Sequence, residues 1–133
     1  MDKKGKNGQS TVEFALLFPL LLLITVLIIE VSLLFHNYLI VTQLSREAAR
    51  AVALGSKTDE QIITDITTNT SWLVNTHFLV GEISEVSILP VAADREQGTN
   101  TTVSILYRIF IDAPFFGTAT GLTMTAVSTM RME

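Results

Sequence analysis

No cysteine occurs among the 133 residues, so a disulfide framework, a thiolate metal site and a cysteine nucleophile are all excluded. Histidine is scarce as well. His36 and His77 stand far apart, and no carboxylate is spaced to complete a metal site with either. Positive charge is short: Lys and Arg together number 9 against 13 Asp and Glu, for a net charge of −4. No basic patch of the size that nucleic acid demands can be drawn from that supply. Gly-rich phosphate loops and nucleophile elbows are also missing. We therefore expect no enzyme activity, no cofactor, no metal, no nucleic-acid partner and no small-molecule substrate.

What the chain does have is oil, and most of it lies near one end. Hydrophobic residues make up 48% of the sequence, and "FALLFPLLLLITVLII" runs from Phe14 to Ile29 with Thr25 as its only polar side chain. Thirteen Leu, Ile, Val and Phe residues in that run contribute about −4 to −8 kcal/mol to membrane insertion, against about +3 for a buried acid. Insertion wins. At a rise of about 1.5 Å per residue the run covers roughly 24 Å of a hydrocarbon layer about 30 Å thick. Glu13 and Glu30 then fall near opposite boundaries of the slab. Pro19, inside the helix, is expected to bend it.

Lys3, Lys4 and Lys6 precede the run, so the positive-inside rule puts the N-terminus in the cytoplasm and the rest outside. An ordinary secretory signal fits less well. Its apolar core is about 7–15 residues long and a small-residue cleavage site follows, whereas "EVSLLFHNYLIVTQ" has no A-x-A pattern.

Glu13 opens the apolar run, and two explanations stand side by side. Ser10 and Glu13 fit the S/T-x-x-E capping box, with an acid favoured at the positive end of a helix dipole. Alternatively, a Lys-rich leader, Gly8, four residues, Glu13 and a long apolar helix resemble the class III signal of type IV pilin-like proteins. That resemblance implies peptidase cleavage between Gly8 and Gln9, with Glu13 as the fifth residue of the mature chain. Gly5 does not compete, because the fifth residue after it is Ser10. Gln9 stands where many pilins have Phe, a departure typical of the tight-adherence branch. The new α-amine, with a reference pKa of about 8, would be mostly cationic. Residues 9 and 13 are i, i+4 neighbours, so Glu13 can neutralise its own N-terminus or that of an adjacent subunit.

Beyond Glu30 the apolar residues thin to a stripe: Val31, Leu34, Phe35, Tyr38, Val41, Ala48, Ala49 and Val52. The spacing predicts that the helix continues to about Leu54 and stops at Gly55. In "SREAARAVALG" Glu47 and Arg50 can pair at i, i+3, but the stretch reads first as a solvated face over a small-residue packing face. Thr58 and Gln61 form a second capping box ahead of Ile62, Ile63 and Ile66, which predicts a short helix. Asp59, Glu60 and Asp65 read as its solvated acidic side.

The texture then turns to β. "TVSILYRIFI" places Val103, Ile105, Tyr107, Ile109 and Ile111 on one face. "LTMTAVSTMRM" does the same with Leu122, Met124, Ala126, Met130 and Met132. "EISEVSIL" (82–89) is a weaker third strand. The expected fold is α+β: a long N-terminal helix, membrane-spanning and then amphipathic, packed on a small antiparallel sheet of about three strands. The resemblance to type IV pilin-like proteins implies that this fold is pilin-like. Phe115 and Phe116, in the connector "DAPFFGTATG", either cap the core or contact a partner subunit.

"GQSTVEFALLFPLLLL", "IIE", "SREAARAVA" and the terminal "TMRME" together resemble the TadE-like family of pseudopilins (minor pilins) of the tight-adherence (Tad) type IVb pilus system. The likeness extends over nearly the whole chain, with Ala48 where relatives often have Gly. It implies a leader at 1–8, a transmembrane helix at 9–35, its extramembrane continuation at 36–55 and a periplasmic short helix plus sheet at 56–133. It also implies a single-pass protein of the bacterial inner membrane, cut by prepilin peptidase. Its partners would be other pseudopilins or pilins and the Tad assembly platform. The implied role is assistance in building Flp-type adhesive pili or the associated secretion machinery. The alternative is an unprocessed single-span scaffold or regulator with an extracytoplasmic binding domain.

Overall fold

α1 (Lys6–Ala53) is one helix of 48 residues that runs through Pro19 without interruption. After it come α2 (Asp59–Thr68), β1 (Leu79–Leu89), β2 (Asn100–Ala113) and β3 (Gly117–Arg131). The computed structural model describes residues 6–68, 73–76, 79–113 and 117–132. The chain divides into two compact units, Met1–Leu33 and Leu34–Glu133.

The first unit is the apolar part of α1. Every side chain from Gly8 to Ile29 is exposed, and the helix is long and apolar enough to cross a membrane. Its hydroxyls are satisfied internally: Thr25 Oγ1 donates to the Leu21 carbonyl and Ser32 Oγ to that of Ile28, each at 2.8 Å. A hydroxyl bonded four residues back leaves no unmet polar group for hydrocarbon to solvate.

In the second unit, α1 ends as expected. Gly55 has φ 61°, its N–H donates to the Val52 carbonyl at 3.0 Å, and the Ser56 N–H reaches the Ala51 carbonyl at 3.1 Å. Those two bonds are a Schellman cap, whose left-handed residue suits glycine. The second capping box also forms. Gln61 Oε1 accepts from the Thr58 N–H at 3.1 Å, while the Gln61 N–H donates to Thr58 Oγ1 at 3.4 Å. α2 buries Ile62 and Ile66.

The strands form an antiparallel meander in the order β1-β2-β3, and α1 packs on one face of it. Val103, Ile105, Tyr107 and Ile109 are wholly buried on that face, and Thr101 extends the row by one pair. They meet Val41, Ala48, Ala49 and Val52 of α1 in one core. The opposite face carries hydroxyl pairs, Ser87–Ser104 at 2.6 Å and Thr102–Thr129 at 3.0 Å.

Three sequence expectations need correction. The buried face of α1 includes the polar residues Asn37 and Ser45, whereas Phe35 and Tyr38 are exposed. Hydrophobicity alone misassigned that stripe, because a buried amide with partners scores as a surface residue. Glu47 and Arg50 are exposed and unpaired over the buried Ala48 and Ala49, the solvated face that the stretch reads as first. Among the described residues the ion pairs are Lys57–Asp65 at 2.6 Å and Arg95–Asp59 at 2.6 Å. Asp59 is therefore not on a free acidic face. Leu122 is half exposed, beside a register shift where Ile109 pairs with Leu122 but Ile111 pairs with Ala119. Leu122 lies directly opposite the buried Ile109, but on an edge strand whose regular ladder a bulge interrupts at that point, and there it is left uncovered.

Candidate functional site

Three places in the chain carry specific polar chemistry. The first is the start of α1. The helix begins at Lys6, so Ser10 lies inside it and the Ser10–Glu13 capping box expected from the sequence cannot form there. Glu13 instead accepts a hydrogen bond from Gln9 Nε2 on Oε1 at 3.1 Å, an i, i+4 contact along the exposed helix surface. Gly8 is exposed, and a Cβ added to it would meet nothing within 4 Å. The first turn of the described helix contains no acidic residue to offset its dipole. Phe14 and Phe18 follow on one side, with ring centroids 5.8 Å apart.

The second place is a polar clamp inside the Leu34–Glu133 unit. Asn37, fully buried on α1, uses its whole amide. Its Oδ1 accepts from the Val74 N–H at 2.9 Å. Its Nδ2 donates to the Val74 carbonyl at 2.8 Å and to the Tyr107 hydroxyl at 3.0 Å. One side chain thus ties the helix to the 73–76 segment and to the middle strand. That segment in turn guards the outer edge of β1: Asn75 Oδ1 accepts from the Gly81 N–H at 2.9 Å, and Thr76 Oγ1 from the Leu79 N–H at 3.0 Å.

A third tie closes the far side. Arg95 donates through both terminal nitrogens to the two carboxylate oxygens of Asp59, at 2.7 and 2.6 Å, and through Nε to the Pro90 carbonyl at 3.0 Å. The fork pins the start of α2 to the loop between β1 and β2.

Sequence reasoning named Gly8, Gln9 and Glu13, and the structure places all three in one helical stretch. Phe115 and Phe116 lie outside the described residues, as does His77; His36 is exposed. Asn37 and Arg95 were missed. A polar letter within "LLFHNYLIV" was the one available signal for Asn37. Among the described residues no group of three or more potential ligands could hold a metal ion. A cleft of about 350 Å³ between the ends of α1 and α2 is lined by Leu44, Ala48, Leu54, Ile62 and Ile66, with the Lys57–Asp65 pair at its rim.

Burial pushes the Tyr107 phenol above its ordinary value near 10, and the hydrogen bond from Asn37 opposes that rise. The stability that comes from keeping the phenol neutral is complete below about pH 10, and it fades as pH climbs through the raised folded value. The stability advantage of the native chain over Tyr107→Phe should therefore shrink as pH passes 10. Denaturant midpoints measured at a series of alkaline pH values would show it, and a constant difference would rule it out.

With this geometry in place, comparison with known proteins gives one result. Residues 8–50 match the family model described as TadE-like protein. No curated protein and no solved structure matches the chain. The matched span opens on Gly8, runs through the whole apolar segment and includes both Glu13 and Asn37.

Proposed function

We propose that this chain, TadE-like from Gly8 to Arg50, is a pseudopilin: a membrane-anchored structural subunit released from its leader by prepilin peptidase. The observation that carries the reading is the coincidence at the helix start. The family match begins at the glycine after which the cut would fall. Five residues later, Glu13 stands bonded to the residue that the cut would make the new N-terminus.

In this reading the α-amine of Gln9 joins the Gln9 side chain at the Glu13 carboxylate. An acid at the lip of an apolar helix is costly unless paired, so a positive end on the same or an adjacent subunit supplies register for bundling. The Leu34–Glu133 unit then presents its sheet to other pseudopilins, pilins and the Tad assembly platform, outside the bacterial inner membrane. The output is assistance in assembling Flp-type adhesive pili or the associated secretion machinery.

N-terminal sequencing of the protein from its native host tests the premise. The expected read is Gln-Ser-Thr, reverting to Met-Asp-Lys when the peptidase is deleted. Met-Asp-Lys in both backgrounds would leave an unprocessed single-span scaffold as the better account.

A further inference from the structure

An N-terminal glutamine is chemically unstable. The lone pair of its α-amine can add to Cδ of its own carboxamide. A C–N bond forms, the Cδ–Nε2 bond breaks, and Nε2 leaves as ammonia with one proton taken from the α-amine. The product is a pyroglutamyl lactam with no positive charge, and no oxidant or second reactant is needed. Cleavage after Gly8 would expose Gln9 to this reaction, and the lactam would remove the cation that Glu13 is proposed to meet.

We propose that Glu13 protects the new N-terminus against this cyclisation, so that Gln9 is a modification site held in check by its i+4 neighbour. The inference rests on the processing reading above. Ring closure requires the Gln9 side chain to fold back until Cδ touches its own nitrogen. The Nε2–H···Oε1 bond to Glu13, at 3.1 Å, draws the same side chain the other way, toward the next turn of α1. The bond lies wholly within residues 9–13, which the cut leaves in place. Glu13 has two oxygens, so Oε1 can keep the carboxamide while Oε2 receives the α-ammonium. An ammonium beside a carboxylate is favoured over the free amine, and only the free amine has a lone pair for attack. Both effects slow the same step.

The test compares chains released with Gln9 first by a site-specific protease and kept in detergent micelles. Loss of one ammonia is followed over time by intact mass, and surviving α-amine by amine-selective labelling. Glu13→Ala should cyclise faster than the native chain by about twofold or more, the scale on which an i, i+4 contact shifts side-chain populations on an exposed helix. Glu13→Gln keeps an acceptor for the carboxamide and should fall nearer the native rate. Gln9→Ala should lose no ammonia at all. Equal rates for the native chain and Glu13→Ala would overturn the proposal, and so would Glu13→Gln cyclising as fast as Glu13→Ala. Because these chains are released in vitro, the outcome is independent of whether the host removes residues 1–8, which the N-terminal sequencing decides separately.

Discussion

Asn37→Ala should lower the stability of the Leu34–Glu133 unit by about 2–4 kcal/mol, although the residue removed is polar and its replacement is a better helix former. The reason is what remains behind. Truncation strands the Val74 N–H, the Val74 carbonyl and the Tyr107 hydroxyl, which Asn37 satisfies at 2.9, 2.8 and 3.0 Å. Each buried group without a partner costs about 1–3 kcal/mol, and the lower end applies to Val74, which is only part-buried and can recruit water. Tyr107 has no such escape, being wholly buried. Unfolding of the full chain in detergent, followed by near-UV circular dichroism, gives the loss. Amide exchange at Val74 should accelerate in step. A double-mutant cycle with Tyr107→Phe should show coupling of about 0.5–3 kcal/mol, since both changes break one network. A loss under about 1 kcal/mol with Val74 exchange unchanged would mean that the bonds of Asn75 and Thr76 hold the segment without Asn37.

That clamp also marks where pattern reading stops. Periodicity identified the long helix, the Gly55 stop, the Thr58–Gln61 box and the rows on β2 and β3, because each depends on residues close together in sequence. β1 was the weak strand, and its register says why. Ile83 pairs with Tyr107 but Glu85 pairs with Leu106, so Ser84 is an extra residue. A one-residue insertion swaps the faces of everything after it. Leu79, Gly81 and Ile83 turn to the core before the bulge, and Val86 and Ile88 turn to it afterwards. No single alternation fits such a strand. Asn37 and Arg95 are invisible for a different reason. Their partners lie 37, 70 and 36 positions away, and the sequence around each gives no sign of them. At the helix start the opposite happened: a local motif, Ser10 with Glu13, was present but unused, because α1 begins four residues before it.

Gly81→Ala should cost about 2–4 kcal/mol and should reach the Asn37 clamp without touching it. Gly81 sits on β1 opposite Ile109, and a methyl group there would overlap the Tyr107 phenol, with Cε2 at 2.8 Å and the ring carbon and oxygen beyond it closer still. The phenol cannot retreat: it is wholly buried, and its hydroxyl is held by Asn37 Nδ2. Either β1 moves off β2 or the ring swings and breaks its bond to the amide. A glycine on one strand thus makes room for a phenol on the next, which meets an amide on the helix. This predicts a specific rescue. In a Tyr107→Leu background the ring is gone, and adding Gly81→Ala should cost less than about 1 kcal/mol beyond the first change, a strong departure from additivity. Stability measurements on the two single variants and the double variant decide it. If Gly81→Ala costs the same in both backgrounds, its effect comes from the strand backbone and not from the phenol, and the line from β1 through Tyr107 to Asn37 is not a mechanical unit.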